Sequence, residues 1–193
     1  MTTFERALRT ALDEIGIAAS DSQIERLAAH HALLERWNRR MNLTRITGAV
    51  QVARRHFGEA AFVHRELPPA ASMVDVGSGA GFPGLPVAVL RPESLVTLVE
   101  SKRRKAAFLR QASWDLPNVR VAACRIADWT GTADWALLRA VAPSRVLPDL
   151  AGRAVRVAIL GTDQPDDALF RAWESRDVPW STARRLWLGV AGR

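Results

Sequence analysis

The residues best suited to chemistry lie in a glycine-rich stretch, residues 73–84, which reads Met-Val-Asp-Val-Gly-Ser-Gly-Ala-Gly-Phe-Pro-Gly. The short apolar run at its start predicts a β-strand, and Pro83 suits the first turn of a following helix. Gly77, Gly79 and Gly81 allow a sharp turn and bring the backbone close to a ligand. We therefore predict a ligand-binding loop between a strand and a helix.

The spacing of this stretch fits two kinds of nucleotide site, and Asp75 distinguishes them. Residues 79–84 match the G-x-G-x-x-G pattern of dinucleotide sites, with Glu100 about 20 residues further on. A carboxylate two residues before Gly77 repels a pyrophosphate and attracts an ammonium group. S-adenosylmethionine carries an ammonium group and no phosphate, so we predict this cofactor, with Asp75 near its ammonium. A nicotinamide-dependent oxidoreductase and a turn without a ligand are the alternatives.

Two charged residues follow other predicted strands. Glu100 ends the apolar run 95–99, and its two carboxylate oxygens can accept both hydroxyl groups of a ribose. Arg139 comes directly after the apolar run 135–138, at the edge of the sheet where α/β proteins bind ligands. We predict that both face a cofactor crevice, where Arg139 holds a base or a cofactor carboxylate. An exposed acid near a helix N-terminus is the alternative for Glu100.

A run of cations, residues 102–105, begins the helix predicted after Glu100. The helix dipole disfavours positive charge there, so helix stability does not explain Lys102, Arg103 and Lys105. We predict that they contact phosphate groups of a nucleic acid, with a solvated helix face as the alternative. The formal net charge of +7 and the isoelectric point of about 11.2 favour a polyanionic partner, although an arginine-rich composition also explains them.

Length and composition predict a folded cytoplasmic protein. The 193 residues suffice for one domain with an extension, and 48% of them are hydrophobic. No apolar run approaches the roughly 18 residues that span a bilayer, and the N-terminus lacks the pattern of a signal peptide. The single cysteine, Cys124, excludes an internal disulfide and cannot by itself form a metal site. We expect Cys124 in the core, no metal, no membrane contact and a monomer.

The chain divides into a helical part and a part in which strands and helices alternate. Helical spacing of apolar residues predicts three helices before Pro68 and Pro69, which cannot extend a helix. Of the adjacent His30 and His31, at most one should face the core. We place a helical cap at 1–70 and an α/β domain with a parallel sheet at 71–193. The predicted strands are 72–76, 95–99, 119–123, 135–138, 155–160 and 185–190, and the predicted helices in this part are 82–90, 102–115 and 166–174.

Five pieces of sequence, in their order and spacing, resemble the RsmG (GidB) family of ribosomal RNA guanine-N7 methyltransferases. They are Asn42-Leu43-Thr44, Arg55-His56-Phe57, the glycine loop 75–84, residues 105–110 and residues 139–143. The resemblance covers residues 33–145 well. It implies a Rossmann-like class I methyltransferase fold behind an N-terminal helical cap, with S-adenosylmethionine as cofactor and small-subunit (16S) ribosomal RNA as partner.

The resemblance also assigns residues to the cofactor and to the base. Those implied at the cofactor are Gly77, Phe82, Glu100, the backbone of Ile126 and Ala127, and Arg139. Those implied near the guanine are Asn42, His56 and Arg139. Guanine N7 has a free lone pair and no proton, so methyl transfer to it requires alignment rather than a general base.

The sequence departs from the family at three places. Gly58-Glu59-Ala60 stands where Leu-Asp-Ser is usual, and Leu160-Gly161 stands where Lys-Gly is usual. The segment 145–154 is shorter than usual and lacks a Pro-Gly-Gly turn. Two functional hypotheses follow: an active guanine-N7 methyltransferase, which we favour, and a diverged protein that binds the cofactor and RNA with little or no transfer.

Overall fold

The computed structural model describes residues 1–165 and 168–192, and its N-terminal third is helical. Reciprocal capping boxes fix the first two helix starts: Thr2 with Glu5 for α1 (Thr3–Glu14), and Ser20 with Gln23 for α2 (Asp21–Met41). Asn42 then ends α2 in the left-handed conformation, with φ of 47°. The chain therefore turns away from α2 directly at the Asn42-Leu43-Thr44 motif.

The third helical run changes its winding part-way along. It consists of α3 (Ala49–Val52), a π-helical turn (Ala53–Gly58) and α4 (Glu59–Glu66). Single π-helical turns inside α-helices occur frequently at functional sites. This turn buries His56 and Phe57, so it brings the Arg55-His56-Phe57 motif into the interior.

In the described part of the chain, seven strands form one sheet in the order β3-β2-β1-β4-β5-β7-β6. The first five strands pair in parallel, and β7 pairs antiparallel with both β5 and β6. The strands are β1 (Ser72–Val76), β2 (Leu95–Val99), β3 (Val119–Ala122), β4 (Ala133–Arg139), β5 (Ala154–Gly161), β6 (Phe170–Asp177) and β7 (Arg185–Ala191). The helices among them are α5 (Gly84–Leu90), α6 (Arg103–Ala112), α7 (Pro143–Leu150) and a 3₁₀ turn (Ile126–Asp128). The predicted α/β architecture is confirmed.

The direction in which successive strands are added to the sheet reverses between β1 and β4, and we call this point the chain reversal. The strands after β1 run outward through β2 to β3, and β4 then returns to the other side of β1. Val76 of β1 lies opposite Leu138 of β4, so the glycine loop and Arg139 leave the sheet side by side. Ligands of such sheets bind outside the carboxyl ends of the strands at this reversal.

Several sequence predictions are wrong. Of the helix predicted at 166–174, residues 166 and 167 lie outside the described residues, while Phe170–Asp177 forms β6, because it pairs with β7. The sheet is accordingly mixed rather than parallel. His30 and His31 are both buried, because the glycine loop covers one and Phe4 of α1 stacks on the other. Cys124 lies beyond the end of β3 and is only half-buried.

Buried residues form two clusters, one on each face of the sheet. The larger cluster joins α1, α2 and the third helical run to α5, α6 and one face of the sheet, whereas α7 packs on the other face. The N-terminal helices therefore share a core with the sheet. Within the described residues, no helix is long and apolar enough to cross a membrane, and no group of three or more His, Cys, Asp or Glu side chains could hold a metal ion.

Candidate active site

The glycine-rich loop connects β1 to α5 at the chain reversal. Its residues Gly77, Gly79 and Gly81 have φ of 68°, 56° and 86°, a region that favours glycine. A Cβ at Gly81 would also collide with the side chain of Leu85. The backbone amides of Gly77 and Ser78 both donate to the carbonyl oxygen of Val99, at 2.8 and 3.1 Å. The loop is therefore tied to the end of β2, close to Glu100.

Glu100 holds the same loop through its side chain. It is buried, and its Oε2 accepts a hydrogen bond from the amide of Gly79 at 3.0 Å, while Oε1 accepts one from the amide of Lys102 at 2.8 Å. A carboxylate has about four acceptor positions, so each oxygen can accept one more donor. The structure thus brings together two residues that the sequence analysis placed at one ligand.

Asp75 lies beneath the loop rather than at its surface. Its side chain is fully buried, and its Oδ2 accepts a hydrogen bond from the amide of Gly84 at 3.0 Å. Burial raises the pKa of Asp75 from 3.8 to about 7. Among the described residues, its Oδ1 has no hydrogen-bond partner. An unpartnered buried acceptor costs about 1–3 kcal/mol, so this oxygen fits a ligand that brings a charged donor to the loop.

Arg139 and His56 meet at the end of β4. Arg139 Nη1 donates to His56 Nδ1 at 3.0 Å, and Nη2 donates to the carbonyl oxygen of Arg55 at 2.7 Å. A guanidinium only donates, so Nδ1 is the accepting nitrogen of His56 and its Nε2–H donates to Thr44 Oγ1 at 2.7 Å. The His56 ring stacks on Phe82, with centroids 4.5 Å apart. Three predicted site residues, from three separate motifs, are therefore in contact.

These contacts hold His56 as a neutral ring. Burial and the charge of Arg139 lower its pKa to about 3. We therefore expect its imidazole to remain in the neutral Nε2–H form from about pH 5 to about pH 8, measured by ¹⁵N–¹H NMR of the ring nitrogens. Arg139→Gln should raise the pKa because it removes the nearby charge. A titration of His56 with its midpoint near 6.5 in the parent protein would contradict this assignment.

Glu59 is the acidic centre of the cluster. It is completely buried, with Arg139 Nη2 at 3.3 Å from Oε2, and Arg55 Nε at 3.2 Å from Oε1. Arg184, from the loop before β7, also donates to Oε1. Burial raises the pKa of Glu59, and the three guanidinium groups oppose that rise. The sequence analysis noted Glu59 only as a departure from the family and missed Arg184, because no sequence pattern relates residues 125 positions apart.

The family assignment follows from comparison with known proteins. The family model described as rRNA small subunit methyltransferase G (GidB) matches residues 23–158. The chain belongs to this family. Ribosomal RNA small subunit methyltransferase G 1 of Syntrophobacter fumaroxidans is 41% identical over 122 residues, which are 62% of this chain and 56% of that protein. The enzyme of the same name, without the number, from Halorhodospira halophila is 39% identical over 144 residues, 72% of this chain and 68% of that protein.

The chain spans about half to two thirds of the length of the curated relatives that it matches. Its fold also resembles a solved methyltransferase structure, that of human N-acetylserotonin methyltransferase in complex with S-adenosylmethionine. The TM-score is 0.56 at 15% identity, over 98% of this chain and 66% of that chain. The predicted Rossmann-like class I methyltransferase fold is confirmed.

The other predicted residues, Asn42 and the backbone of Ile126 and Ala127, make contacts of their own. Among the described residues, Thr44 rather than Asn42 bonds to His56. Asn42 is exposed and lines, with Arg40, Met41 and residues 102–105, a cavity of about 380 Å³, so it lies beside Lys102, Arg103 and Lys105.

In the 3₁₀ turn, the carbonyl oxygens of Ile126 and Ala127 accept hydrogen bonds from Arg153 at 2.8 and 3.2 Å. Arg153 is a supporting residue that the sequence analysis did not identify.

Proposed function

We propose that this GidB-family chain transfers a methyl group from S-adenosylmethionine to guanine N7 of small-subunit (16S) ribosomal RNA. The observation that carries the proposal is the meeting of the glycine loop with the Arg139–His56–Phe82 cluster at the chain reversal. The names of the relatives, ribosomal RNA small subunit methyltransferase G, support the substrate. The runner-up is the diverged protein that binds cofactor and RNA with little transfer.

The loop and its surroundings fit the cofactor. When bound, S-adenosylmethionine supplies a methyl group on a positively charged sulfur. The free Oδ1 of Asp75 would accept from the ammonium, and the spare acceptor positions of Glu100 would take the ribose hydroxyls. The residues proposed to complete the pocket are Gly77, Gly79, Gly81, Phe82, the backbone of Ile126 and Ala127, and Arg139. The ammonium and the ribose hydroxyls would donate directly to these carboxylate oxygens, so neither contact requires a metal ion.

The base would lie against the cluster at the end of β4. The buried Nε of Arg139 has no partner among the described residues, so it can donate to an acceptor such as guanine O6. His56 is neutral and already bonded at both nitrogens, so it would orient Arg139 and Phe82 rather than carry a proton. Asn42, on the rim, would contact the nucleotide next to the base. This assignment agrees with a reaction at N7, which has no proton to remove.

The cations at the start of α6 would bind RNA phosphates. Lys102 and Arg103 are exposed and Lys105 is half-buried beside the glycine loop. In the Lys102→Ala, Arg103→Ala, Lys105→Ala triple mutant, the slope of log affinity for RNA against log salt concentration should become shallower by about 2, because three counterion-releasing contacts are lost. The measurement is RNA binding over a series of salt concentrations.

The matched control removes three exposed arginines from other surfaces, Arg6 of α1, Arg156 of β5 and Arg171 of β6. It lowers the net charge equally, so it should weaken binding without the same change in slope if the contacts are local. Equal slopes for the parent and the first triple mutant would show that residues 102–105 are a solvated helix face.

Several broader features belong to the same proposal. Residues 1–70 would act as a helical cap over a methyltransferase domain formed by residues 71–193. The protein would act as a monomer in the cytoplasm, without binding a membrane. Size measurement in solution, alone and with small-subunit RNA, tests the monomer, since a dimer would have twice the 21.2 kDa of one chain on its own and would add twice that mass to the RNA.

Mass spectrometry of ribosomal RNA from cells with and without the gene tests the function. We expect one 7-methylguanosine of the small-subunit RNA to be lost with the gene and restored by the parent protein. The diverged binder would instead bind S-adenosylhomocysteine and RNA yet transfer nothing to unmethylated RNA or subunits. In that case Leu160→Lys with Ala60→Ser, which restores the usual family residues, should recover transfer if those departures caused the loss.

A further inference from the structure

The loop between β6 and β7, residues 178–184, packs on the π-helical turn of the active site. The ring of Trp180 covers Gly58 so closely that a Cβ there would lie 2.6 Å from Cζ3 and 2.8 Å from Cη2. Its indole Nε1 donates to Glu14 Oε2 of α1 at 2.6 Å, and the guanidinium of Arg54 lies 6.0 Å from its ring centroid. One side chain of the C-terminal hairpin therefore holds both α1 and the turn.

Arg184 makes the second contact, to the buried acid at the end of the turn. Its Nη2 donates to Oε1 of Glu59, whose Oε2 accepts from Arg139. The backbone amide of Arg184 donates to Ser181 Oγ at 3.1 Å, which shapes the loop that presents it. Arg184 and Arg139 thus bind opposite oxygens of one completely buried carboxylate. Any shift of Glu59 would be transmitted to Arg139, because the two share a charge-assisted hydrogen bond.

The contacts fall on two residues at which this chain departs from the RsmG pattern. The resemblance implies leucine at position 58, where a side chain would occupy the space filled by Trp180. The resemblance implies aspartate at position 59, where it would be one methylene shorter than Glu59 and further from Arg184. The family match ends at residue 158, before this loop begins. The departures on the turn and the C-terminal hairpin therefore meet in one place and complement each other in shape and charge.

We propose that Trp180 and Arg184 are positioning residues of the active site. They hold the π-helical turn Ala53–Gly58 and, through Glu59, the guanidinium of Arg139 in the geometry that methyl transfer needs. The catalytic half of this statement rests on the proposed function. The structural half, that the loop fixes the turn, can be measured whether or not the protein transfers a methyl group.

The experiment compares Arg184→Ala with Arg185→Ala in the full chain. Arg185 is the matched control, because its side chain bonds to Ser175 and Asp177 within the hairpin and, among the residues that the structure describes, not to the turn. In Arg184→Ala, amide hydrogen exchange at residues 53–58 should rise at least about tenfold, because local opening no longer breaks the contact to Glu59. The kcat for small-subunit RNA should also fall at least about tenfold, with KM and S-adenosylhomocysteine affinity changed by less than about twofold. Arg185→Ala should leave both measurements at the parent values.

Two further variants separate positioning from general loss of structure. Arg184→Lys keeps a positive charge beside Glu59 and should recover most of the lost kcat, whereas Arg184→Gln should not. Trp180→Phe keeps an aromatic ring on Gly58 and should protect the turn better than Trp180→Ala. Failure of Arg184→Lys to exceed Arg184→Gln would show that Arg184 does not act through its charge.

Other results would overturn the proposal directly. Unchanged exchange at residues 53–58 in Arg184→Ala would show that the loop does not hold the turn. Increased exchange with an unchanged kcat would show that holding the turn does not position the site. If the parent protein transfers no methyl group, the proposed function fails, and the exchange data alone then support or refute the hold on the turn.

Discussion

Methyl transfer to small-subunit RNA should fall at least about tenfold, and up to about a hundredfold, when Arg139 is replaced by alanine. In the structure its guanidinium binds His56, the carbonyl oxygen of Arg55 and Glu59, so it joins the end of β4 to the π-helical turn. Its removal frees each of these groups to move. A displacement of about 1 Å between N7 and the methyl group is enough to cause such a loss.

Affinity for the cofactor product distinguishes two roles for Arg139, orienting the base and anchoring the cofactor. If Arg139 orients the base, calorimetry should show S-adenosylhomocysteine affinity falling much less than kcat. If it anchors the cofactor carboxylate, both should fall together. Arg139→Lys is the matched control, since it keeps the charge beside Glu59 but lacks the planar fork that reaches His56 and Arg55 together. Full activity in folded Arg139→Ala would exclude both roles.

S-adenosylhomocysteine should bind about tenfold more weakly at about pH 6 than at about pH 8, because in the proposed site its ammonium binds an ionised Asp75. Burial has raised the pKa of Asp75 to about 7, so the free protein is largely protonated there at the lower pH. Binding must then release that proton. Asp75→Asn should remove the pH dependence and weaken binding at about pH 8 by about 1.5–3 kcal/mol, the value of a charge-assisted hydrogen bond.

Asp134→Asn is the control for this experiment. Asp134 Oδ2 accepts hydrogen bonds from Ala71 and Ser72 at the start of β1, at the opposite end of the strand from the loop. This variant should keep the pH dependence of the parent. Calorimetry at both pH values is the measurement, and equal affinities at both pH values in the parent would show that no cofactor group contacts Asp75.

The Asp75 carboxylate also makes the free energy of unfolding depend on pH, with the opposite sign to its effect on cofactor affinity. Because its pKa is raised from 3.8 to about 7 by folding, the folded state favours the protonated form. The contribution of Asp75 to the free energy of unfolding is therefore fully present below pH 3.8 and is lost as the pH rises towards 7. The protein tolerates a poorly solvated charge at neutral pH, which is typical of a binding site that a ligand completes.

The sequence predicts those parts of the site that depend on local chain geometry. The glycine loop follows from residue types within twelve positions, and Glu100 from an apolar strand that ends in an acid. The depth of Asp75 was not predictable, because it depends on how α5 packs over the end of β1. The strand at Phe170–Asp177 was missed because its pairing with β7, rather than its own sequence, makes it a strand. Trp180 and Arg184 reach the site only through tertiary contacts.

The shared core of the N-terminal helices and the sheet also determines which molecule must change shape. Those helices pack into the same cluster as α5, α6 and one sheet face, so they cannot swing open as a lid without exposing that cluster. A site whose helices stay in place spends little conformational entropy on their movement when it binds a ligand. In the proposed function, the cost of bringing a guanine to the site would fall on the nucleic acid, whose base would have to leave its stack. Selection among guanines would then depend on how readily each one unstacks, as well as on its contacts with the protein.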